Sequence, residues 1–415
     1  MEQTFLIPQE TLDRLRRPRI RPLKLYFAGG TGNILATFRS YLNEQHDPSI
    51  VAIAYSHMFF DVCKALGAKA LAESNFDSFD RECRDGITVG SRPRYKWGAR
   101  GIFYHLSHLC YTLSIVFTAL RFRADVFICA TDVVYPALII LRWFGVPVII
   151  SLHTTLWPRN TIPKPVRQLQ NKMDGWAWRH AIDATLCVSP EIKRQLETIS
   201  NGHPKGPIIW QVPQYRNDTF TPKPSPDDSV FHVTFCGRVE RNKGIFLLIE
   251  AAVELQHKLP DRIRWHICGD GSASEELSNL VKKIGVDKIV TIHGQLNQPR
   301  LVEQIFRSHV LVSPTTTGFP EGLAKVPVEA ALAARPSIVS SAVPAAEVLG
   351  DAVIEIPADD TLSIVEAVEK LATDPITYQR HRDACTKEIA KFYDRSRSWG
   401  SVLLLLLDHI LNSKK

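Results

Sequence analysis

The sequence predicts an α/β protein of two open, mostly parallel sheet domains of similar size. Three observations carry this. Short, near-continuous apolar runs alternate with longer helical patterns along the whole chain, the pattern of strands covered on both faces and joined by helices. The alternation is interrupted once, at residues 214–229, QYRNDTFTPKPSPDDS, where three prolines stand without any periodicity. And 415 residues are too many for one ordinary core.

Taken in order, strands are expected at 23–28, 50–54, 126–130, 146–152 and 184–189, with helical stretches between most of them. After the break, strands are expected at 233–236, 265–268, 289–293, 310–313, 337–340 and 353–356. Helices fall around 246–258, 274–283, 299–308, 326–334 and 362–372, and Pro299 suits the first position of its helix. A last helix, roughly 397–412, closes the chain. The expected division is an N-terminal extension (1–21), a first domain (22–213), a linker (214–230), a second domain (231–385) and a C-terminal helical segment (386–415) that packs back on the first domain.

Composition narrows the class. Hydrophobic residues make up 45% and charged residues 22%, which excludes a disordered chain. The net charge of +7 is uneven: the first 210 residues carry 26 Lys and Arg against 17 Asp and Glu, the remainder 24 against 26. A basic first half is either a solvated face or the side that meets an anionic partner. None of the eight cysteines has metal-ligand spacing, and Cys129, Cys187, Cys236 and Cys268 sit inside apolar runs. They read as reduced core residues of a cytoplasmic protein. No signal peptide is visible. The most apolar stretch, Ile102–Phe122, is interrupted by His105, His108 and Arg121, so no transmembrane span is expected, while peripheral contact with the inner face of a membrane is.

In open α/β sheets ligands bind beyond the carboxyl ends of the strands, so four loops stand out. Phe27-Ala-Gly-Gly-Thr-Gly-Asn33 follows the first strand. Its glycines suit close approach to a ligand, or simply a turn that packs a helix. It partly imitates a dinucleotide fingerprint, but Ile34-Leu35-Ala36 stands where the last glycine belongs, and no acid ends the expected strand 50–54. Gly237-Arg238…Lys243-Gly244 follows the first strand of the second domain, with two cations flanking a loop that opens a helix, a setting suited to a diphosphate. Cys268-Gly-Asp-Gly271 is a further glycine turn. Pro320-Glu321-Gly-Leu-Ala-Lys-Val-Pro-Val-Glu329 places one carboxylate in a loop and one inside the next helix, with the amides of Gly322, Leu323 and Ala324 between them. Carboxylates bind sugar hydroxyls and amides bind phosphates.

At these residues the second domain resembles the family 4 retaining glycosyltransferases of the GT-B fold, which carry G-R-x(n)-K-G after the first donor-domain strand and E-x7-E near its end. The resemblance is strong over 231–345 and weaker over 22–200. It implies two Rossmann-like domains facing each other across a cleft, with a nucleoside diphosphate sugar as donor substrate and no cofactor. Arg238 and Lys243 would neutralise the diphosphate, Glu329 would hold the ribose, and Glu321 would contact the donor sugar. Gly237, Gly271, Gly294 and Leu296 would line the donor, Gly294 and Leu296 near the base. In the first domain, Gly30 falls in the family's glycine loop and His153 matches its histidine beside the reacting sugar. Three departures from the family's pattern bear on sugar and acceptor identity: Val212-Pro-Gln-Tyr-Arg216, Thr154-Thr-Leu-Trp157, and Ala342-Val-Pro-Ala-Ala346, where a glycine pair is usual.

The expected reaction is glycosyl transfer with retention, the diphosphate's developing charge met by preorganised cations and amides. No D-x-D motif is present, so Arg238 and Lys243 would take a metal's charge role and no metal is expected. On the acceptor side, Arg92, Arg94, Lys96 and Arg100, with Tyr95 and Trp97, precede the apolar stretch, and Arg14, Arg16, Arg17, Arg19 and Arg21 form a second cluster. Basic and aromatic residues beside an apolar helix point to a lipid-linked glycan acceptor and an anionic membrane surface, not to nucleic acid. A sugar-nucleotide epimerase of related fold, a nicotinamide-dependent oxidoreductase using 27–33, and a non-catalytic scaffold are the competing readings.

Overall fold

A computed structural model describes residues 4–95, 97–98, 101–226 and 229–412. It divides into two units. The first comprises the chain up to His153, then Lys164–Gln214, then the chain from Asp394 onward. The second comprises Thr154–Pro163 and Tyr215–Tyr393.

The first unit runs through α1 (Gln9–Leu15), β1 (Lys24–Gly29), α2 (Ile34–Leu42), α3 (Tyr55–Leu66), β2 (Lys69–Ser74), β3 (Arg81–Arg84), β4 (Ile87–Ser91), α4 (Ile102–Phe122), β5 (Val126–Cys129), α5 (Ile139–Trp143), β6 (Val148–Leu152), α6 (Pro165–His180), β7 (Ala184–Cys187), α7 (Pro190–Ile199) and β8 (Ile208–Trp210). Its sheet has the order β3-β4-β2-β1-β5-β6-β7-β8. All pairs are parallel except the β3–β4 hairpin. That hairpin turns on Asp85 and Gly86, both at positive φ (52° and 80°), as a two-residue type I′ turn requires. The strand order reverses between β1 and β5, so the loops after these two strands open the crevice of this unit.

The expected strand at 50–54 is absent. Val51, Ala52 and Ile53 are buried, but they form an irregular lead into α3, and the Ile53 N–H donates to the Gln214 carbonyl at 2.8 Å. A short apolar run does not by itself distinguish a strand from a buried connection. The strand paired with β1 is β2 instead.

The second unit runs through β9 (Phe231–Cys236), α8 (Ile245–Lys258), β10 (Ile263–Cys268), α9 (Ser274–Ile284), β11 (Val290–Gly294), α10 (Gln298–Arg307), β12 (Val310–Ser313), α11 (Lys325–Leu332), β13 (Ser337–Ser340), α12 (Ala346–Leu349), β14 (Val353–Ile356), α13 (Thr361–Thr373) and α14 (Pro375–Glu388). Its six strands are parallel in the order β11-β10-β9-β12-β13-β14, with the reversal between β9 and β12. One sheet face carries Val233, Trp265, Ile267, Val310 and Ile338 into a core shared with α8 and α13. The other is polar: His232 Nδ1 lies 2.9 Å from His266 Nε2, and His266 Nδ1 lies 3.0 Å from His293 Nε2. Burial, helped by the two neighbouring imidazoles, pushes His266 down to about 4.

Of the expected linker, residues 215–226 belong to the second unit. Tyr215 and Phe220 are buried, and the fully buried Arg335 donates to the carbonyls of Lys223, Pro224 and Phe306 at 2.7–3.1 Å. Within Thr154–Pro163, Arg159 donates to the Ser341 carbonyl and pairs with Glu347 and Glu355 at 3.0 and 3.2 Å. A further helix, α15 (Trp399–Asn412), belongs to the first unit. Trp399, Leu403, Leu404 and Leu407 join Leu25, Phe27, Phe59 and the N-terminal residues Phe5 and Leu15 in one core. Each large apolar side chain buried this way stabilises the unit by about 1.5–3 kcal/mol. The Trp399 indole N–H also donates to Ser151 Oγ at 2.9 Å.

Candidate active site

The second unit's reversal point lies between β9 and β12, and the loops after these strands hold the residues singled out by the sequence. Glycines let the loops meet closely. Gly269 (φ 141°) lies so near β9 that a Cβ there would stand 1.8 Å from the Gly237 carbonyl oxygen. At Gly244 (φ 72°), a Cβ would stand 1.9 Å from the Pro314 carbonyl oxygen, so this glycine joins the β9 loop to the β12 loop across the crevice. The Thr316 N–H donates to the Asn242 carbonyl at 3.0 Å and holds the same seam.

Lys243 and Glu321 meet at this seam as a hydrogen-bonded ion pair, both side chains largely buried. The Phe319 ring lies beneath the Lys243 ammonium, its centroid 4.0 Å from Lys243 Nζ and 5.9 Å from the Arg238 guanidinium. Arg238 is exposed and held at 2.8 Å by Glu240. Two of the four principal sequence candidates of this unit, Arg238 and Lys243, thus share one aromatic platform, and a third, Glu321, is tied to it through Lys243. Glu329 is buried one turn into α11, and the Tyr215 hydroxyl donates to it at 3.4 Å. Burial pushes its carboxyl up, with Lys325 and Tyr215 pulling it back.

The helices around the crevice differ in how they begin. No side chain caps α8, α9, α11 or α12, whose N-caps are Gly244, Ala273, Ala324 and Ala345. The helices that follow the edge strands β11 and β14 are capped by their own side chains, α10 by Asn297 and α13 by Asp360. A helix start without a side-chain cap presents its first amides to an anion. Gly322 and Leu323 are buried just ahead of α11. Gly271 abuts Val239 at the start of the α9 turn, and Gly294 ends β11 with its carbonyl accepting from Gly269 at 2.8 Å. Leu296 is half-buried beyond it.

In the first unit, Gly30 lies at the reversal point. A Cβ there would stand 3.4 Å from the Ala130 carbonyl oxygen, and the Gly30 carbonyl accepts from the Asn75 N–H at 2.9 Å. The start of α2 is occupied from within: Asn33 Oδ1 accepts from the Ala36 amide at 3.0 Å. His153 sits beyond β6, its Nε2 3.1 Å from Ser151 Oγ and its ring 4.7 Å from that of Tyr55.

The expectation that no acid ends the second strand is corrected. With β2 at Lys69–Ser74, an acid does stand near its end, namely Glu73. It is buried and engaged internally, accepting from Tyr26 at 2.8 Å and from Arg92 at 2.8 Å. Arg92 is therefore tied to Glu73. Arg94 is mostly buried, stacked 5.4 Å over Tyr104, while Trp97 is exposed. Lys96 and Arg100 lie outside the described residues. Of the N-terminal arginines, Arg14 pairs with Asp408 at 2.7 Å and Arg21 with Asp125 at 2.6 Å. Sequence reasoning misses Phe319 and Tyr215. Their only signals are an aromatic residue two positions before Glu321 and one at the start of the interdomain break. Among the described residues, no group of three or more His, Cys, Asp or Glu is placed to hold a metal ion.

Residues 217–391 match the family model described as glycosyl transferases group 1, and residues 28–208 match the model described as glycosyltransferase family 4. The chain is 26% identical over 215 residues to a D-inositol 3-phosphate glycosyltransferase of Arthrobacter sp., covering 48% of this chain and 49% of that one. The match thus spans about half the length of that curated relative. Among solved structures, Anabaena HepE in complex with UDP is similar at a TM-score of 0.63 and 15% identity, covering 94% of this chain and all of that one. The trehalose 6-phosphate synthase of Burkholderia multivorans is similar at 0.69 and 12% identity, covering 95% and 98%.

Proposed function

Because the chain belongs to the family 4 glycosyltransferases of the GT-B fold, we propose that it transfers a glycosyl group, with retention and without a metal, from a nucleoside diphosphate sugar to a lipid-linked glycan. The observation that carries the donor half is the seam at β9 and β12, where Arg238 and Lys243 share the Phe319 ring and Lys243 pairs with Glu321, beside the uncapped starts of α8 and α11. Cations and amides aimed at one point suit the charge that builds on a leaving diphosphate. The exposed Arg238 takes phosphate oxygens in bidentate fashion, Lys243 contributes a point charge, and Glu321 turns to a sugar hydroxyl. Glu329 accepts from the ribose, and Gly294 and Leu296 flank the base. Support for this assignment includes the UDP that Anabaena HepE binds in its own structure.

His153 and Gly30 are assigned to the sugar and acceptor side. The lipid-linked acceptor is supported by the basic first half of the chain and by Trp97 exposed just ahead of α4. Eight free cysteines, six of them buried, support a reducing, cytoplasmic setting at the inner face of a membrane.

The test is a thermal-shift series with UDP, GDP, uridine and NAD, followed by transfer assays on a nucleotide-sugar panel. A diphosphate should raise the melting temperature and uridine should do so much less. Arg238→Ala should lower transfer about a hundred-fold or more while melting as the parent does, since its side chain is exposed. Stabilisation by NAD alone, or parent-like turnover in Arg238→Ala, would overturn the reading.

A further inference from the structure

The helical layer on one face of the first unit's sheet has an apolar outer surface. On α4, Tyr111, Ile115, Val116 and Ala119 are buried against the unit, as a packed helix requires. Its opposite side, where polar residues belong, carries Phe103, Leu106, Leu113 and Phe117, which are 40–64% exposed. These fall at helical spacing along one stripe, and the exposed Cys110 lies within it. The same layer continues through α5, whose end exposes Trp143 at 74%, and the turn Tyr135–Leu138 is contacted by both α4 and α6. On α6, Val166, Leu169, Met173 and Trp176 repeat the pattern. α4 has the length and apolarity to cross a bilayer, but about a third of it, along one face, is buried against the protein. Lying along a surface is the geometry left to it.

Charge identifies the surface. Residues 101–124 contain no Asp or Glu, and α4 carries Arg121 in its last turn and Arg123 as its C-cap. A groove of about 570 Å³ runs beside the stripe, lined by Arg81, Arg92 and Arg121 together with Phe117 and Phe122. Glu73, bound to Arg92 and 3.6 Å from Arg81, offsets only one of these three charges. Guanidiniums beside an apolar ridge match a phosphate headgroup above acyl chains. A second copy of the chain on this face would set Arg81, Arg121 and Arg123 against their own counterparts, which disfavours self-association there.

We propose that the first unit docks on an anionic lipid bilayer through the outer face of α4, α5 and α6, with a lipid phosphate seated among Arg81, Arg92 and Arg121. The inference deepens the lipid-linked acceptor reading and rests on it for its purpose, although the surface itself is read from exposure and charge.

The experiment uses the full chain with vesicles of phosphatidylcholine alone and of phosphatidylcholine with a third phosphatidylglycerol. The parent should sediment with the anionic vesicles at low salt and be released at high salt. Bound protein should have Cys110 shielded from a charged maleimide, a readout that needs no variant. Leu113→Asp with Phe117→Asp should abolish sedimentation, and Arg121→Glu should weaken it roughly ten-fold, both keeping the parent's melting temperature and its response to UDP. A parent that stays in the supernatant would overturn the proposal. So would equal binding to both vesicles, an unshielded Cys110, or a dimer in ultracentrifugation that Leu113→Asp with Phe117→Asp dissociates. A chain that responds to UDP but ignores vesicles sinks this inference alone; one that binds vesicles but ignores UDP sinks the donor reading and leaves this one standing.

Discussion

Lys243 is paired with Glu321, and its ammonium lies over the Phe319 ring. A diphosphate must therefore compete with a carboxylate for the same ammonium. Glu321→Gln should remove that competitor, tightening UDP several-fold while lowering kcat for transfer by about a hundred-fold. Titration calorimetry with UDP beside steady-state rates would separate the two effects, and weaker UDP binding would show that the pair does not compete. As candidates, Arg238 and Lys243 are legible in the sequence because they flank a loop that opens a helix after an apolar strand, and Glu321 and Glu329 because one carboxylate stands in a loop and the other inside the next helix. Phe319 and Tyr215 are not, because an aromatic side chain under a cation or beside a buried carboxylate leaves no mark in spacing. Glu73 escapes notice because periodicity puts the second strand elsewhere, and only its bonds to Tyr26 and Arg92 show how it is employed.

At the level of elements, all six strands of the second unit are readable, since each centres on a short apolar or alternating run between helical patterns. The first unit's edge is not. β3 and β4 are short and β3 is largely exposed, and the Asp85-Gly86 turn that makes them a hairpin is a signal that apolar runs alone do not carry. Helix starts carry a separate prediction. Ala324 has the extended backbone of an N-cap (φ −65°, ψ 127°) but no capping side chain. Ala324→Asp should stabilise the unliganded protein by about 0.5–1 kcal/mol by satisfying the first amides of α11. The same carboxylate would occupy the place of a phosphate, so UDP should bind at least roughly ten-fold more weakly. Calorimetric unfolding with and without UDP checks both signs, and a variant more stable yet equally responsive to UDP would remove α11 from the donor site.

For the molecule as a whole, each unit holds a histidine that burial keeps neutral. His57 in the first unit and His266 in the second are pushed down from the ordinary value of 6.5 to about 4. The His57 ring nitrogens have no hydrogen-bond partner among the described residues. Since the unfolded chain takes up these protons first, stability is complete above about pH 6.5 and falls as pH drops toward 4. Each histidine contributes a slope of about 1.4 kcal/mol per pH unit within that window. Urea midpoints measured from pH 7.5 down to 4.5 should decline accordingly, and a flat profile would contradict the burial of both rings.

The placement of α15 has a consequence for biosynthesis. Every part of the second unit lies between Thr154 and Tyr393, so it can close while the chain is still being made. The first unit cannot, although most of it is synthesised earlier. Its sheet lacks Trp399, Leu403 and Leu407 until α15 leaves the ribosome. The usual order, in which the N-terminal domain folds first, is inverted here. For the whole time of translating the second unit, one apolar face of the first must be kept from other nascent chains.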